Sequence, residues 1–353
     1  ADSSAAFEGF KAGAYTFRQE NSSRNWATGY DFQALNDGHV VQTTLPNGNI
    51  PRASGMVFNL ARPQFADRRV REAISLAYNF TWTNDTLQYG LFDQRASFWQ
   101  NSENAATGVP EGAELALLES LGDLIDPAIL TEPVTQPHTS GDRQADRRNL
   151  RRAAQLLDDA GWVIDEDATD NLRRKNGETL KLEFLERSPT FDRIILPYIE
   201  NLKTMGIDAS YERVDPSQYT NRSRDRDYDM IFDSYAMADL PSTGLRQKFG
   251  GDTYETSLFN PAGFKHPAVE ELMDYVVAAT TTDEVRTGAR AIDRIMRREL
   301  FIIPTWYLSN YWVSFYDMFE HPDPLPPHAL GNLDFWWYNA DKADALRAQG
   351  ALR

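Results

Sequence analysis

Apolar positions recur at the helical period in several stretches of the chain. After Phe65, the residues Val70, Ala73, Ile74, Ala77 and Tyr78 fall at i, i+3, i+4, i+7 and i+8, behind Asp67 as the expected cap. In "DRRNLRRAAQLLDDAGW", Asp146 is the expected cap, Leu150, Ala153, Ala154 and Leu157 line one face, and Gly161 is the stop. His266-Pro267 opens a helix with Val269, Leu272, Met273 and Val276 on one side. Thr281 and Glu284 form a capping box for the next helix, whose inward positions are Val285, Ala289, Ile292 and Ile295. Between these helices the period changes to two. "TLKLEFLER" (179–187), "IDASYERVD" and "YDMIFDSYA" read as strands, separated by "FDRIILPYIENLKTMG" and "PSQYTNRSRD" as helices. Pro197 inside the first of these predicts a kink or a late start.

Strand, helix, strand, helix, strand in sequence predicts an α/β fold with a parallel component in its sheet. Earlier in the chain, "GHVVQTTL" (38–45) alternates weakly and "PNGN" (46–49) is a turn. Residues 105–146, rich in Pro, Gly and Thr, read as a long surface excursion, and "LFIIPTWYLSNYWVSFYDMF" (300–319) as extended and aromatic. The tail "NLDFWWYNADKADAL" ends in a short helix, and no internal repeat is visible.

The composition narrows the function classes. The chain has 353 residues, 41% hydrophobic and 25% charged, with a formal net charge of −16, which argues against nucleic acid or an anionic membrane surface as the main partner. Without cysteine it carries no disulfide, thiolate metal site or Cys nucleophile. It contains no apolar run long enough for a membrane span. The start, "ADSSAAFEGFKAG", reads as the interior of a domain, so the chain is expected to be part of a longer protein.

No G-x-S-x-G, H-E-x-x-H, P-loop or G-x-G-x-x-G motif is present. His39, His138, His266, His321 and His328 are scattered, and "DEDATDN" (165–171) lacks the Gly and Glu that a calcium loop needs. No metal or cofactor is expected. Trp26, Phe98, Trp99, Tyr235, Phe249, Trp306, Trp312, Trp336 and Trp337 sit in polar or turn-like stretches, which suits a cleft that stacks a ligand and suits core packing equally well. The loop "SYAMADLPSTGLRQKFGG" (234–251) follows a strand, the usual position of ligands in α/β sheets. Within it, Asp239 suits an ammonium, and Arg246 suits a carboxylate or phosphate.

"VFNLARPQFADRRVREAISLAYNF" resembles the strand–Asn–Pro–helix segment opening the second lobe in the extracellular solute-binding proteins (family 5) of peptide ABC importers. "FKAGAYTFRQENSSRNWATGYDF", "LQYGLFDQRASFWQNSENAATGVP", "YIENLKTMGIDASYERVDPSQYTNRSRDRDYDMIF", "NPAGFKHPAVEELM" and the ending "FWWYNADKADAL" are similar to its microcin C-type subfamily. The resemblance implies a periplasmic-binding-protein type II fold, with residues 1–55 in lobe I, 56–304 as lobe II and 305–353 returning to lobe I. The chain would then be the C-terminal portion of the full-length protein. It further implies a periplasmic, non-enzymatic component of an importer that captures a peptide or peptide conjugate for an inner-membrane permease. The expected ligand-binding residues are Tyr235, Asp239, Arg246, Phe98, Asn101, Asn59 and Trp306. Family members carry an Asp in a Trp-x-x-Asp-Tyr-like motif; here Asp239 is displaced towards the Pro, which suits a blocked amino terminus such as a formylated peptide. The alternatives are a hydrolase of oligosaccharide or peptide, and a murein-peptide or oligosaccharide binder.

Overall fold

The computed structural model describes residues 3–165 and 169–352, which fall into two compact units. Part of "DEDATDN" lies outside the described residues. Unit 1 comprises residues 1–49, 84–93 and 308–353, and unit 2 comprises 50–83 and 94–307. The units meet at 49/50 and 307/308, with the segment 84–93 in unit 1; the lobe boundaries implied by the resemblance are 55/56 and 304/305.

Unit 2 is built on a five-stranded sheet. Its elements, in chain order, are β1 (Ala53–Phe58), α1 (Arg68–Leu76), α2 (Arg147–Asp159), β2 (Lys181–Glu186), α3 (Asp192–Thr204), β3 (Asp208–Arg213), α4 (Pro216–Arg224), β4 (Met230–Tyr235), α5 (Pro267–Ala278), α6 (Thr282–Glu299) and β5 (Ile302–Pro304). The strand order is β5-β1-β4-β2-β3. β4 and β3 run parallel to β2, while β1 is antiparallel to both β4 and β5. At the β1–β5 contact, a Cβ at Gly55 would collide with the Ile303 carbonyl oxygen, so only glycine lets these backbones approach.

Both faces of this sheet are covered, as parallel strands require. Val57, Leu185, Ile231 and Tyr235 face a core of Phe98, Trp99, Phe249, Phe264 and Phe301, closed by α5 and α6. On the opposite face, the Tyr198 hydroxyl of α3 donates to the Ile74 carbonyl of α1 at 3.3 Å, and Phe58 packs on Phe65 at 5.3 Å between centroids. The caps lie where the sequence placed them. Asp67 accepts from Arg69 N, Asp146 accepts from Arg148 N and Asn149 N, and Thr281 with Glu284 closes the capping box. α3 starts at Asp192 and runs through Pro197, so the late start does not occur.

The excursion at 105–146 differs from the expectation. Its helix Gly112–Glu119 and the turns after it bury Leu118, Leu121, Ile125 and Ile129 in the core. The arginines of α6 hold it in place: Arg294 donates to the carbonyls of Gly108 and Thr107, and Arg297 donates to that of Thr135. Irregular backbone brought against a core needs such donors for its carbonyls. Arg71 of α1 is likewise buried and donates to the carbonyls of Phe65, Ala66 and Glu299.

Unit 1 holds a three-stranded antiparallel sheet with Asn310–Tyr316 between Phe17–Glu20 and Val40–Pro46. Trp26 stacks on Trp312 with 5.7 Å between centroids, and Trp336 meets Phe17 and Phe315 edge-on. Trp337 is exposed and donates to Glu320.

One half-buried histidine is expected to make unit 2 sensitive to acid. His138 Nε2 lies 2.8 Å from the Tyr78 carbonyl, and burial holds its imidazole below the ordinary value, against smaller opposing effects of that carbonyl and of Asp146. The unfolded chain takes up this proton near pH ~6.5 and the folded chain only below that, so stability is full above ~6.5 and falls as pH drops, by at most about 1.4 kcal/mol per pH unit. His266, also lowered by burial, adds to the same trend. Melting curves from pH 7.5 to 5.5 should show Tm falling, and His138→Gln, which keeps a donor for Tyr78, should flatten the slope. An unchanged slope in the variant would remove His138 as a cause.

Candidate ligand-binding site

In unit 2 the parallel strands β2, β3 and β4 end together, at Glu186, Arg213 and Tyr235. Alternation along β4 decides what reaches this end. Ile231 and Tyr235 face the core, so Phe232 and Ser234 point to the other side. There Phe232 packs on Phe191, just before α3, with centroids 4.5 Å apart, and Trp306 stacks on Phe232 at 5.4 Å and on Phe191 at 6.3 Å. All three rings are partly exposed. They form an aromatic platform at the carboxyl ends of the strands, within one unit.

Charged groups lie at the same end of the sheet, on both of its faces. Arg52, just before β1, donates Nε to Ser234 Oγ at 2.7 Å and remains exposed. The Arg187 guanidinium lies 4.9 Å from the Tyr219 ring centroid. Burial pushes the Glu186 carboxyl upward, although the backbone N–H groups of Ser188 and Arg187 oppose this. Burial likewise raises the Asp233 carboxyl, with Ser234 N, Arg52 and Arg187 pulling the other way. Carboxyls raised by burial mark this end of the sheet as a candidate site. Asp192 accepts from the Tyr211 hydroxyl at 2.6 Å and lies 3.6 Å from Arg213.

The expected site residues divide between this end and other places. Trp306 is in the platform. Asp239 is exposed on the loop after β4, and that loop is clipped to the Asn101 loop by Trp99 Nε1 donating to the Ala238 carbonyl and Asn104 Nδ2 to that of Asp239. Asn101, exposed and at φ 64°, therefore sits on a loop tied to that of Asp239.

Tyr235 and Phe98 require correction, because both are core residues. Tyr235 is 1% exposed, stacked on Phe249 at 5.3 Å, with its hydroxyl accepting from Ala262 N. Phe98 is 2% exposed and packs on Phe301 at 5.4 Å. Arg246 is occupied by ion pairs with Glu270, at 3.6 Å, and Asp274. Asn59 stands at the wrong end of the sheet: β1 is antiparallel to β4, so its last residues meet the start of β4, where Phe58 pairs with Met230. Sequence reasoning missed Phe191, Phe232 and Arg52. The signal was there in the parity of "MIFDSY": Tyr235 shares the face of Ile231, while Phe232 takes the other.

Known proteins agree with this architecture. Residues 1–256 match the model of the bacterial extracellular solute-binding proteins, family 5. A probable peptide-binding protein, YejA, of Agrobacterium fabrum is 37% identical over 342 residues, covering 96% of this chain and 55% of that protein. YejA of Escherichia coli, of uncharacterised function, is 34% identical, covering 98% of this chain and 56% of its own length. The chain thus spans about half the length of these relatives. Among solved structures, the oligopeptide-binding protein AppA of Bacillus subtilis, in complex with a nonapeptide, superposes with a TM-score of 0.69 at 17% identity, over 96% of this chain and 58% of AppA. The fold is therefore the α/β type II fold of periplasmic binding proteins. No helix among the described residues is long and apolar enough to cross a membrane. By the family match and the identity to these relatives, the chain belongs to the bacterial extracellular solute-binding proteins of family 5.

Proposed function

We propose that this chain is the C-terminal portion of a periplasmic peptide-capturing protein of the microcin C-type subfamily. It holds a peptide or peptide conjugate for delivery to an inner-membrane ABC permease and does no chemistry on it. In this reading unit 2 is lobe II and unit 1 contributes to lobe I. The observation that carries the reading is the partly exposed Phe191–Phe232–Trp306 platform at the carboxyl ends of parallel strands, with charges of both signs at the same end of the sheet. Flat aromatic faces hold apolar side chains with little demand on sequence, and hydrated polar pockets suit varied peptides. Arg52 faces the anionic groups of the ligand and Asp239 a cationic one, with Asn101 beside Asp239. Family membership and the peptide-binding name of the Agrobacterium relative support this reading, and neither lends weight to a hydrolase.

The test is calorimetric titration of the intact protein with a formylated peptide, the free-amine peptide of the same sequence and a chitooligosaccharide. Peptide binding, with formylation tolerated, is the expected outcome; binding of sugar alone would overturn it. Phe232→Ala and Trp306→Ala should each weaken peptide binding by about 10- to 100-fold, the usual cost of removing a central aromatic anchor. Unchanged affinity in both variants would move the ligand away from the platform.

A further inference from the structure

The pair Asn-Gly occurs twice in the chain, at Asn47-Gly48 and Asn176-Gly177, and the pair Asn-Ser twice, at Asn21-Ser22 and Asn101-Ser102. In such pairs the residue after Asn is small, so its backbone nitrogen can reach the Asn side-chain carbon. An N–H that already donates to an acceptor is held away from that attack. Three of these nitrogens are held: Gly48 N donates to the Pro327 carbonyl at 2.8 Å, Ser22 N to Glu20 Oε1 at 2.9 Å and Ser102 N to the Trp99 carbonyl at 3.1 Å. The Asn47 side chain is fixed as well, because its Oδ1 accepts from Asn49 N at 3.1 Å and from Asn49 Nδ2 at 3.0 Å. A Cβ at Gly48 would collide with the Pro327 carbonyl oxygen, so that turn is closely covered.

Asn176-Gly177 differs on every count. It forms the tip of a hairpin between Arg173–Lys175 and Glu178–Thr179. Both residues have positive φ, 53° and 84°, as a two-residue type I′ turn requires. Asn176, Gly177 and Glu178 are exposed, and a Cβ at Gly177 would meet nothing within 4 Å. Neither Gly177 N nor the Asn176 side chain has a hydrogen-bond partner among the described residues. The base of the hairpin is anchored by buried Arg173, which donates to the Met205 and Trp162 carbonyls at 2.7 Å. The last tie before the tip is Lys175 Nζ, which donates to the Ala160 carbonyl at 2.8 Å. Only two residue pairs, Arg174 with Thr179 and Lys175 with Glu178, join these strands. A hairpin this short opens locally at small cost, which matters because a left-handed Asn must turn its backbone before Gly177 N meets Cγ.

We propose that Asn176-Gly177 is a modification site, where the folded chain converts Asn176 spontaneously to aspartate and isoaspartate ahead of its other asparagines. Gly177 N loses its proton and bonds to Asn176 Cγ, the bond from Cγ to Nδ2 breaks, and ammonia leaves. The resulting succinimide takes up water at either carbonyl, giving the α-linked or the β-linked acid. One water enters for each ammonia released, and no electrons are exchanged. The product places a new carboxylate beside Glu178, and the β-linked form adds one backbone atom to a two-residue turn.

The intact protein is incubated at mildly alkaline pH, both folded and unfolded in urea. Peptide mapping by mass spectrometry follows the gain of one mass unit at Asn21, Asn47, Asn101 and Asn176. The ratio of folded to unfolded rates cancels the intrinsic chemistry of each pair. Asn176 is expected to react first in the folded protein, about 10-fold or more faster than Asn47, and to be slowed least by folding. Both linkages should appear at that position. Asn176→Gln, whose longer side chain does not close the five-membered ring, should lose the signal there and leave the other three rates unchanged. A folded protein in which Asn21, Asn47 or Asn101 reacts first, or in which folding slows Asn176 as much as Asn47, overturns the proposal. So does an Asn176 that survives in the folded protein while the unfolded chain is modified there.

Discussion

Replacing Asp293 by alanine is expected to destabilise unit 2 by about 3–5 kcal/mol, the usual cost of breaking a buried ion pair from one side. Asp293 is 0% exposed and accepts from four groups: Ser97 Oγ at 2.9 Å, Phe98 N at 2.8 Å, Ala106 N at 3.0 Å and Arg297 Nη1 at 3.3 Å. Its removal strands two backbone donors and leaves the guanidiniums of Arg95 and Arg297 facing each other without a carboxylate. In a unit of this size the loss corresponds to a drop in Tm of about 10 °C. Asp293→Asn keeps the shape and one acceptor oxygen and should cost about half as much. Hydrogen exchange gives the local readout: the amides of Phe98 and Ala106 should be protected in the parent protein and exchange fast in Asp293→Ala. If Tm moves by less than about 2 °C, the carboxylate is not the anchor of this network.

Asn59→Ala should cost about 2–3 kcal/mol without changing ligand affinity. Its Nδ2 donates to the carbonyls of Arg226 and Tyr228, both at 2.9 Å, and its Oδ1 accepts from Ala61 N at 3.1 Å. Those three bonds pin the exit of β1 against the approach to β4, at the end of the sheet opposite the platform. Asn59→Asp, nearly identical in shape, should be worse than alanine, because a carboxylate would then face two carbonyl oxygens. Denaturant unfolding and peptide titration on the same variants separate the roles. A residue that contacts ligand would lose affinity at constant stability, and the reverse is expected here.

These two residues show how far the sequence could be read. Asn59 drew attention as a lone polar residue at the end of an apolar run, and its side chain does tie backbone together, but its end of the sheet depends on β1 being antiparallel to β4. Strand direction is a long-range property that no local pattern carries. Asp293 lies on α6 at a position where the helical period puts an apolar residue, so its buried partners, from residues 97 to 106, were invisible. The arginines of α6 lie outside the inward positions read from the period, and Arg294 and Arg297 hold the excursion at 105–146. Tyr235 illustrates the opposite case. The period-2 pattern that identified its strand already assigned it to the core face, together with Ile231.

The sequence by itself determined the α/β class, the cap residues Asp67, Asp146 and Thr281, the order of strands and helices, and, through extended likeness, the family. Those features rest on local hydrogen bonding and on the period of apolar residues, which are written within a dozen positions. The tertiary structure alone decided which residues stand at the carboxyl ends of β2 and β4 and which aromatics remain partly exposed. It also decided that Arg95 would be buried beside a carboxylate already held by Arg297. Burial, pairing and ring stacking join residues as far as three hundred positions apart, and their energies exist only once the sheet has assembled.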